Sequence, residues 1–564
     1  MYENRLKLVE YGILLFLGIV ILRLFQIQVL NHAKYSAEAR DQHWSATKVS
    51  ARRGDIRTAD GFSVATTTVI YNLFVETQKI TNKEAFSKNI AKLVNELDEK
   101  SVNEAISKNG RWIQLSSNIL PEERKAILDS DLINKSALHF EETYKRYYPE
   151  GRMLSHVLGF VGKDKNSNET GYYGLEQFYD GDLKGQDGLY LLEKSAFDNP
   201  IIWGGENKVE ASDGSTLVLT IDRNIQYLAE KEIKYGVERY GAKSGTVVIV
   251  EPNTGAVLAM ANYPNYNMSS PNLEDSEIRN SSIGVVYEPG SVMKAITMSV
   301  AVDMGLVTPD TTMMDSGPKW YSGHKVDNWD GKHHGLETMT SVLQHSNNIG
   351  ISWVGLKVGG KNLMEYFDLF GFGRKLGIDL DGEESGLIYP PRNLKDIEIV
   401  NAAFGQGIAV TPLQMTMAFA AIANGGKLMK PYVVDKIISS DKETTMEPVI
   451  LDKPLTRKTS DIMTKMLTDA VSGGEEKYFV SKKYAVAGKT GTAQVPIPGG
   501  YDEYRTNATF VGYLPKYKNF VMLIRLEEPT SPSGYSSETA VPLWMKIGEE
   551  IANYYGLEPD ILNN

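Results

Sequence analysis

The sequence predicts an α+β protein built from an N-terminal transmembrane helix and two α+β domains. Three observations lead to this prediction. An uncharged apolar run lies near the N-terminus, a glycine-punctuated region of mixed strands and helices follows, and a second region places a long helical block between strands. Strands before and after a helical block are typical of helices packed on an antiparallel sheet. At 564 residues the chain also exceeds what one hydrophobic core supports.

The first element is a predicted membrane anchor at residues 11–30. The stretch YGILLFLGIVIL has no charge, and RLFQIQVL extends it to Leu30. A helix needs about 20 mostly apolar residues to span a bilayer. A cleaved signal peptide and a buried soluble helix are the alternatives, but no small-residue cleavage pattern follows the run closely. We expect a single-pass protein of the cell membrane, with tail 1–10 in the cytoplasm and the rest of the chain outside.

Residues 31–212 form the first of the two predicted α+β domains, and we expect its role to be structural. VIYNLFVET reads as a strand, and Thr81 with Glu84 forms a capping-box pattern at the start of an amphipathic helix. Pro121 stands at the first position of another predicted helix. No catalytic cluster is visible, so this region is predicted to be a pedestal.

Residues 213–557 form the second predicted α+β domain, and a tail at 558–564 follows it. DGSTLVLTIDRNIQ opens it as a strand and a helix, and Asn253-Thr254-Gly255 reads as a turn between two further strands. Helical patterns continue to about Gly425, and two strand-like stretches and a last amphipathic helix close the domain.

Composition excludes several functions. The net charge of −11 has no basic run beside it, which argues against nucleic acid as a partner. The chain has no cysteine, so disulfides and thiolate chemistry are absent. Eight histidines show no His-Glu-x-x-His spacing, and the pair His333-His334 is predicted to be a solvated loop. These residues thus predict no metal site, and we expect no cofactor.

The candidate nucleophile is Ser291 in YEPGSVMKAITM. Pro289-Gly290 interrupts any preceding helix, so Ser291 begins a new one, where unpaired N–H groups favour developing negative charge. Lys294 lies one turn later on the same face, where burial would let it act as a base. Alone, the pair also fits a helix-capping serine and a solvated lysine.

Two later motifs favour the catalytic interpretation. HSNNIG carries Ser346 and Asn348, a hydroxyl and a carboxamide that could relay a proton and hold a substrate amide. AGKTGTAQV carries Lys489, and its glycine, Gly491, leaves space for a ligand or another backbone. Ser-x-x-Lys, Ser-x-Asn and Lys-Thr-Gly in this order are the signature of penicillin-binding proteins and serine β-lactamases.

With these motifs the chain resembles the class B penicillin-binding proteins, which are monofunctional peptidoglycan D,D-transpeptidases. ARRGDIRTADG, GYYGLEQFYDGDLKG and NAAFGQGIAVTPLQM are similar to the family's phrases, and YEPGSVMK and AGKTGTAQV are closer to its septal, cell-division subgroup. The resemblance implies an elongated pedestal of the dimerisation type and a transpeptidase domain related to serine β-lactamases. The middle motif departs from the related Ser-Asp-Asn, because it reads Ser-Asn-Asn.

The resemblance also implies roles for the motif residues. Ser291 would attack the penultimate D-alanine carbonyl of a stem pentapeptide, and Lys294 would take its proton. Ser346 would relay a proton to the leaving amine, and Asn348 would hold the acyl side chain or Lys294. Lys489 would tune the electrostatics of this cluster.

The substrate's terminal carboxylate would bind to Thr490 and Thr492 on either side of Gly491. The backbone N–H groups of Ser291 and Thr492 would form the oxyanion hole. β-Lactams would acylate Ser291 as covalent inhibitors. The implied protein partner is a polytopic lipid-II glycosyltransferase, together with membrane proteins of division or elongation.

Two other functions stay open at this point. A β-lactam-hydrolysing relative would need a Glu-x-x-Leu-Asn element, and EPDILNN at residues 558–564 lies after Lys-Thr-Gly instead of before it. A catalytically weak structural partner or activator of a membrane glycosyltransferase would keep the anchor and the pedestal without needing the motifs.

Overall fold

The computed structural model describes residues 2–36, 44–108, 110–166, 168–193, 206–271, 278–391 and 394–561. Its contacts divide the chain into two compact units, each assembled from separate stretches. One consists of Met1–Arg53, Val69–Tyr144 and Lys184–Gly214, and the other of Gly54–Thr68, Lys145–Leu183 and Ser215–Asn564. The predicted limits at 31, 213 and 557 describe continuous stretches instead, and they remain a prediction.

One helix among the described residues is long and apolar enough to cross a membrane. It covers Tyr2–Leu30, as an α-helix to Phe25 and a π-helical turn at Gln26–Leu30, and none of its most apolar window is buried. Residues 2–10, predicted as a tail, are therefore helical too. Length and composition make this segment a candidate membrane anchor.

In the first unit, two groups of elements build the fold. Strands Trp44–Val49, Gly188–Glu193 and Glu206–Val209 form an antiparallel sheet. Residues 71–76 of the strand Ser63–Glu76 pair with the strand Trp112–Ile119. The strand Leu138–Tyr147 also pairs with Ser63–Glu76. Near these strands lie the helices Lys83–Leu93, Glu99–Ser107 and Pro121–Asp129 and the 3₁₀ turns Thr77–Lys79 and Lys135–Ala137.

Two predicted helix starts can be compared with this unit. Pro121 is the first residue of its helix, as predicted. The cap of the preceding helical region is Asn82 instead of Thr81, because the Asn82 side chain accepts a hydrogen bond from the backbone N–H of Ala85. An asparagine side chain satisfies the free N–H groups of a first turn as well as a threonine does.

The second unit begins with a parallel strand pair. Ile56–Arg57 pairs with Thr216–Leu219, which continues antiparallel into Val434–Ile438 and then Glu443–Thr445. This pairing explains why residues 54–68 belong to the second unit. Short elements between 145 and 184 add to the same core: Ser155–Leu158, Phe160–Lys163, Glu169–Tyr172, Gly174–Phe178 and Asp180–Lys184.

A five-stranded antiparallel sheet forms the centre of the second unit. Its order is Val257–Tyr263, Ser244–Val250, Val521–Glu527, Gly500–Tyr513 and Ala487–Ile497. Both faces of the second strand are buried. Val247 and Ile249 face a core that includes the helices Arg223–Tyr240 and Ala540–Tyr554, whereas Val248 and Val250 face the helical block. The predicted antiparallel sheet with helices is therefore confirmed.

Along the chain, the helical block lies between the sheet strands Val257–Tyr263 and Ala487–Ile497. Its most buried member is Pro412–Ala423, in which every residue is buried, so its sequence is apolar on all sides. The other helices are Ser281–Gly284, Met293–Asp303, Met339–Gln344, Asn348–Val358, Gly360–Leu369, Asp396–Ala403 and Arg457–Gly473, with 3₁₀ turns at Gly290–Val292 and Glu475–Tyr478. Two-stranded ribbons add Thr312–Asp315 with Gly335–Thr338, Lys319–Tyr321 with His324–Val326, and Leu428–Met429 with Ile450–Asp452.

Candidate active site

A cavity of about 790 Å³ in the second unit collects the three predicted motifs. Its walls include Ser291, Ser346, Asn348, Thr490 and Thr492. These residues come from a helix start, the loop before a second helix and an edge strand of the five-stranded sheet. The fold thus brings together residues separated by up to 201 positions along the chain.

Ser291 lies in the middle of the 3₁₀ turn Gly290–Val292, directly before the buried helix Met293–Asp303. Gly290 has φ of +55°, and its N–H donates to the carbonyl of Gly405. A Cβ on Gly405 would lie 2.2 Å from the carbonyl oxygen of Gly290, so these two backbones touch. The predicted nucleophile therefore lies at the beginning of a helix, on a backbone that is in contact with Gly405.

Lys294 is fully buried at the first turn of this helix. Its Nζ donates to the carbonyl oxygen of Ser346 at 2.5 Å, to Oγ of Ser346 at 3.1 Å and to Oδ1 of Asn348 at 2.6 Å. Burial holds the pKa of Lys294 well below its usual range, and the like charge of Lys489 lowers this pKa further. A lysine in this state gives up its proton more readily than an exposed lysine does.

The loop that carries Ser346 is fixed by its neighbours. Ser346 has φ of +49°, in the left-handed region that residues other than glycine seldom adopt. Asn347 is completely buried and caps the helix Asn348–Val358 by accepting from the N–H of Gly350 at 2.7 Å. The Asn348 amide donates to the carbonyl of Asp327 at 2.9 Å, which leaves its oxygen to face Lys294.

The third motif lies on the edge strand Ala487–Ile497. Lys489 is buried and its Nζ donates to Oγ1 of Thr490 at 3.1 Å. A Cβ on Gly491 would lie 2.6 Å from Cγ2 of Val292 and 2.9 Å from the carbonyl oxygen of Pro289. The space beside Gly491 is therefore occupied by Pro289 and Val292, which lie on either side of Ser291.

Two adjacent carboxylates balance the two buried lysines. Burial lowers the pKa of Lys489, and the negative charges of Glu476 and Glu475 oppose that shift. Glu476 is itself buried, which raises the pKa of its carboxyl group, while Lys489 lowers it. Glu475 lines the cavity and also favours the charged form of Lys294.

Sequence reasoning missed several residues of this cavity. Oγ1 of Thr492 accepts from the N–H of Ser536 and shares a 3.0 Å hydrogen bond with its hydroxyl. Trp329 and Tyr535 form an edge-to-face pair in the cavity wall, with ring centroids 5.7 Å apart. No motif contains these residues, and only the folded loops bring them to the site.

The arrangement suits acyl transfer. The hydroxyl of Ser291 lies at a helix start, and the buried amine of Lys294 contacts Ser346 and Asn348. Thr490 and Thr492 line the same cavity. A nucleophile, a base with a lowered pKa, and polar donors beside them are the parts that serine acyltransferases need.

Comparison with known proteins supports the same family from independent data. The model of the penicillin-binding protein transpeptidase domain matches residues 245–549, and the model of the penicillin-binding protein dimerisation domain matches residues 48–219. Stage V sporulation protein D of Bacillus subtilis is 30% identical over 564 residues, which cover 97% of this chain and 85% of that protein. Peptidoglycan D,D-transpeptidase FtsI of Escherichia coli is 28% identical over 561 residues, covering 98% of this chain and 92% of that protein.

Solved structures share the fold. Penicillin-binding protein 2X of Streptococcus thermophilus superposes with a TM-score of 0.76 at 21% identity, covering 91% of this chain and 81% of that chain. Penicillin-binding protein 3 of Mycobacterium tuberculosis in complex with aztreonam gives a TM-score of 0.71 at 24% identity, covering 91% and 98%. The transpeptidase family matches more than half of the chain, and the sporulation protein is similar to 97% of it. These two findings show that the chain belongs to the class B penicillin-binding proteins.

Proposed function

We propose that this protein is a peptidoglycan D,D-transpeptidase that cross-links stem peptides through an acyl-enzyme on Ser291. One observation carries the proposal. The buried Nζ of Lys294 contacts both Ser346 and Asn348, and these residues line the same cavity as Ser291 and the Lys-Thr-Gly strand. Family membership supplies the reaction class, and this geometry supports the proposed roles of these residues.

Acylation begins when the Ser291 hydroxyl attacks the carbonyl of the penultimate D-alanine. Lys294 accepts the hydroxyl proton, and a C–O bond forms as the carbonyl oxygen becomes negative. The N–H groups of Ser291 and Thr492 are the proposed donors to this oxygen, and one such donor contributes about 10²–10³ in rate. The peptide C–N bond then breaks, and Ser346 relays the proton from Lys294 to the departing D-alanine amine.

The substrate's terminal carboxylate is proposed to bind at the Lys-Thr-Gly strand. Thr490 and Thr492 lie on the cavity side of this strand, and Lys489 supplies positive charge behind them. Charge-assisted hydrogen bonds to a carboxylate are stronger than neutral ones. An amine of a second stem peptide then attacks the ester, which forms the cross-link and returns the proton to Ser291.

The cellular setting is the other part of the proposal. The helix Tyr2–Leu30 anchors the chain with its N-terminus in the cytoplasm and its catalytic domain outside. The proposed setting is a septum, beside a polytopic lipid-II glycosyltransferase, and it rests on the similarity of YEPGSVMK and AGKTGTAQV to the septal, cell-division subgroup. β-Lactams would occupy the same serine as covalent inhibitors.

The test is labelling of the full chain with fluorescent penicillin, followed by mass spectrometry of the adduct. We expect a stable adduct on Ser291, no label in Ser291→Ala, and normal labelling of Ser440→Ala, an exposed serine outside the cavity. Rapid turnover of nitrocefin would indicate a hydrolase instead. Full complementation by Ser291→Ala in cells would favour a structural partner, and a label on another residue would refute the site.

A further inference from the structure

One carboxylate in the wall of the catalytic cavity has no role in the acylation steps described above. Glu475 begins the 3₁₀ turn Glu475–Tyr478, is exposed, and lines the same cavity as Ser291 and Ser346. Among the described residues its carboxyl group makes no hydrogen bond and no ion pair, and the neighbouring groups act on it through charge alone. This carboxylate can therefore contact a ligand that enters the cavity.

Two other acidic groups near the cavity are already engaged. Asp327 lies in the cavity wall, where its Oδ2 is 2.8 Å from Nζ of Lys325. Glu476 is only 3% exposed, and its negative charge raises the pKa of the buried Lys489. A counter-charge for a buried lysine does not need to face the cavity, so charge balance alone does not explain the position of Glu475.

The surroundings of Glu475 identify the side of the cavity on which it lies. Its charge acts on both buried amines, Lys294 and Lys489. Nζ of Lys294 is 3.1 Å from the Ser346 hydroxyl, the proposed proton donor to the departing D-alanine amine. An amine that attacks the acyl-enzyme retraces the path of the amine that left, because the two steps are the reverse of each other. The attacking amine therefore arrives on the side of the cavity where Glu475 is exposed.

We propose that Glu475 binds the ammonium group of the acyl acceptor and removes one proton from it. This role rests on the proposed transpeptidase function, and it identifies the acceptor as a primary alkylamine that arrives in its charged form. An amine like that of a lysine side chain has a pKa of about 10.4, so at neutral pH it is almost entirely protonated and cannot attack an ester. Two buried lysines stand beside the site, so an incoming ammonium also needs a negative partner.

The protons of the transfer step balance in this scheme. The acceptor R–NH₃⁺ gives one proton to the Glu475 carboxylate and becomes R–NH₂. Its nitrogen then attacks the ester carbon, so that a C–N bond forms and the C–O bond to Ser291 breaks. One proton of this nitrogen passes through Ser346 and Lys294 to the Ser291 oxygen, which leaves a neutral amide. Glu475 gives its own proton to water, which reaches this exposed side chain.

The environment of Glu475 makes it a better base than an ordinary glutamate. Although the residue is exposed overall, the cavity walls partly desolvate its carboxyl group, which raises its pKa. The charges of Lys489 and Lys294 lower this pKa. Those of Glu476 and Asp330 raise it. With burial as the largest effect, the pKa of Glu475 moves towards neutral pH, where a general base is most effective.

The experiment follows one acyl-enzyme to two products. The full chain in detergent micelles receives an acylated D-alanine thioester as donor and the side-chain amine of Nα-acetyl-lysine amide as acceptor, near neutral pH. Mass spectrometry measures the ratio of amide product to hydrolysed acid. Both products come from the same acyl-enzyme, so this ratio does not depend on the acylation rate.

We expect Glu475→Gln to lower the ratio about 100-fold, because a general base contributes about 10²–10⁴-fold and water needs no partner for a positive charge. The matched control is Asp461→Asn, which removes an exposed carboxylate outside the cavity, on the helix that precedes the turn. Its ratio should equal that of the wild type. An unchanged ratio in Glu475→Gln, or an equal loss in both variants, would overturn the proposal.

A second acceptor separates this role from a structural one. The α-amine of an amino-acid amide has a pKa of about 8, so well above that pH it is uncharged and needs no base. The ratio of Glu475→Gln should then approach that of the wild type, and a persistent loss would overturn the role as a base. Fluorescent penicillin should still label this variant. Failure of the wild type to acylate at all would instead refute the transpeptidase function.

A measurement on the unmodified chain keeps the test independent of variant folding. An alkylguanidine keeps its positive charge and does not act as the acceptor at neutral pH, and a guanidinium group pairs well with a carboxylate. It should therefore inhibit amide formation in competition with the lysine amine, while acylation by penicillin continues. Absence of such inhibition would overturn the binding role of Glu475.

Discussion

The contact between Gly491 and the Ser291 turn leads to a quantitative prediction for Gly491→Ala. The new Cβ would lie 2.6 Å from Cγ2 of Val292 and 2.9 Å from the carbonyl oxygen of Pro289. These distances fall 0.8 and 0.5 Å short of the 3.4 Å at which ordinary contact begins. The carbonyl oxygen of Pro289 and the backbone N of Val292, which would lie 3.2 Å from the new Cβ, are backbone atoms on either side of Ser291. The turn must therefore shift by about 0.5 Å, the shortfall at Pro289.

A displacement of about 1 Å in a reacting group can cost 10²-fold in rate. We therefore expect Gly491→Ala to acylate with fluorescent penicillin about 10–100-fold more slowly than the wild type. Overpacking of this kind costs about 1–3 kcal/mol, so the Tm should fall as well. The measurement is the second-order rate constant of acylation, with thermal unfolding recorded in parallel.

Gly500→Ala is the matched control, because it lies on the paired strand of the same hairpin and a Cβ there meets nothing within 4 Å. Its acylation rate should equal that of the wild type. Wild-type acylation by Gly491→Ala would refute the reasoning that the strand and the Ser291 turn are in rigid contact. An equal loss in both variants would refute it too, since a general effect on the hairpin would then explain the result.

Three further predictions concern the charges and hydroxyls of the cavity. Acylation of Ser291 should slow as the pH falls through the lowered pKa of Lys294, because only the unprotonated amine accepts a proton; a pH–rate profile without this acidic limb would exclude Lys294 as the base. Ser346→Ala removes the hydroxyl 3.1 Å from Nζ of Lys294 and should reduce the acylation rate about 10²–10⁴-fold. Stopped-flow measurements can check this rate, and an unchanged rate would argue against a proton relay. We expect acylation to require protonated Lys489, so the loss of its proton gives the profile an alkaline limb. Glu476→Gln removes a negative charge that raises the pKa of Lys489, so this limb should move to lower pH. A shift of the limb to higher pH would contradict the charge balance.

The sequence predicts the main chemistry of this site because that chemistry is encoded in short motifs. Ser291 and Lys294 are one helical turn apart, so local geometry alone places them together. The strand character of the Lys-Thr-Gly stretch was equally readable, and the structure confirms a strand at Ala487–Ile497. The close approach expected at Gly491 also exists, although only the fold identifies its partner as the turn Gly290–Val292.

Other features depend on contacts between distant residues and could not be predicted. Ser536 reaches Thr492 from 44 positions away, and no periodicity records that contact. The two compact units interleave along the chain because Ile56 pairs with Leu217, a parallel pairing across 161 positions.

The left-handed backbone of Ser346 has an evolutionary consequence. A residue with a Cβ pays about 1–2 kcal/mol for this conformation, whereas glycine adopts it freely. Selection for stability alone would therefore favour glycine at position 346, whereas the proposed proton relay requires the serine hydroxyl. Relatives with glycine at this position should be more stable proteins that have lost transpeptidation. The residue at 346 can thus serve as a marker that separates working enzymes from copies retained for another purpose.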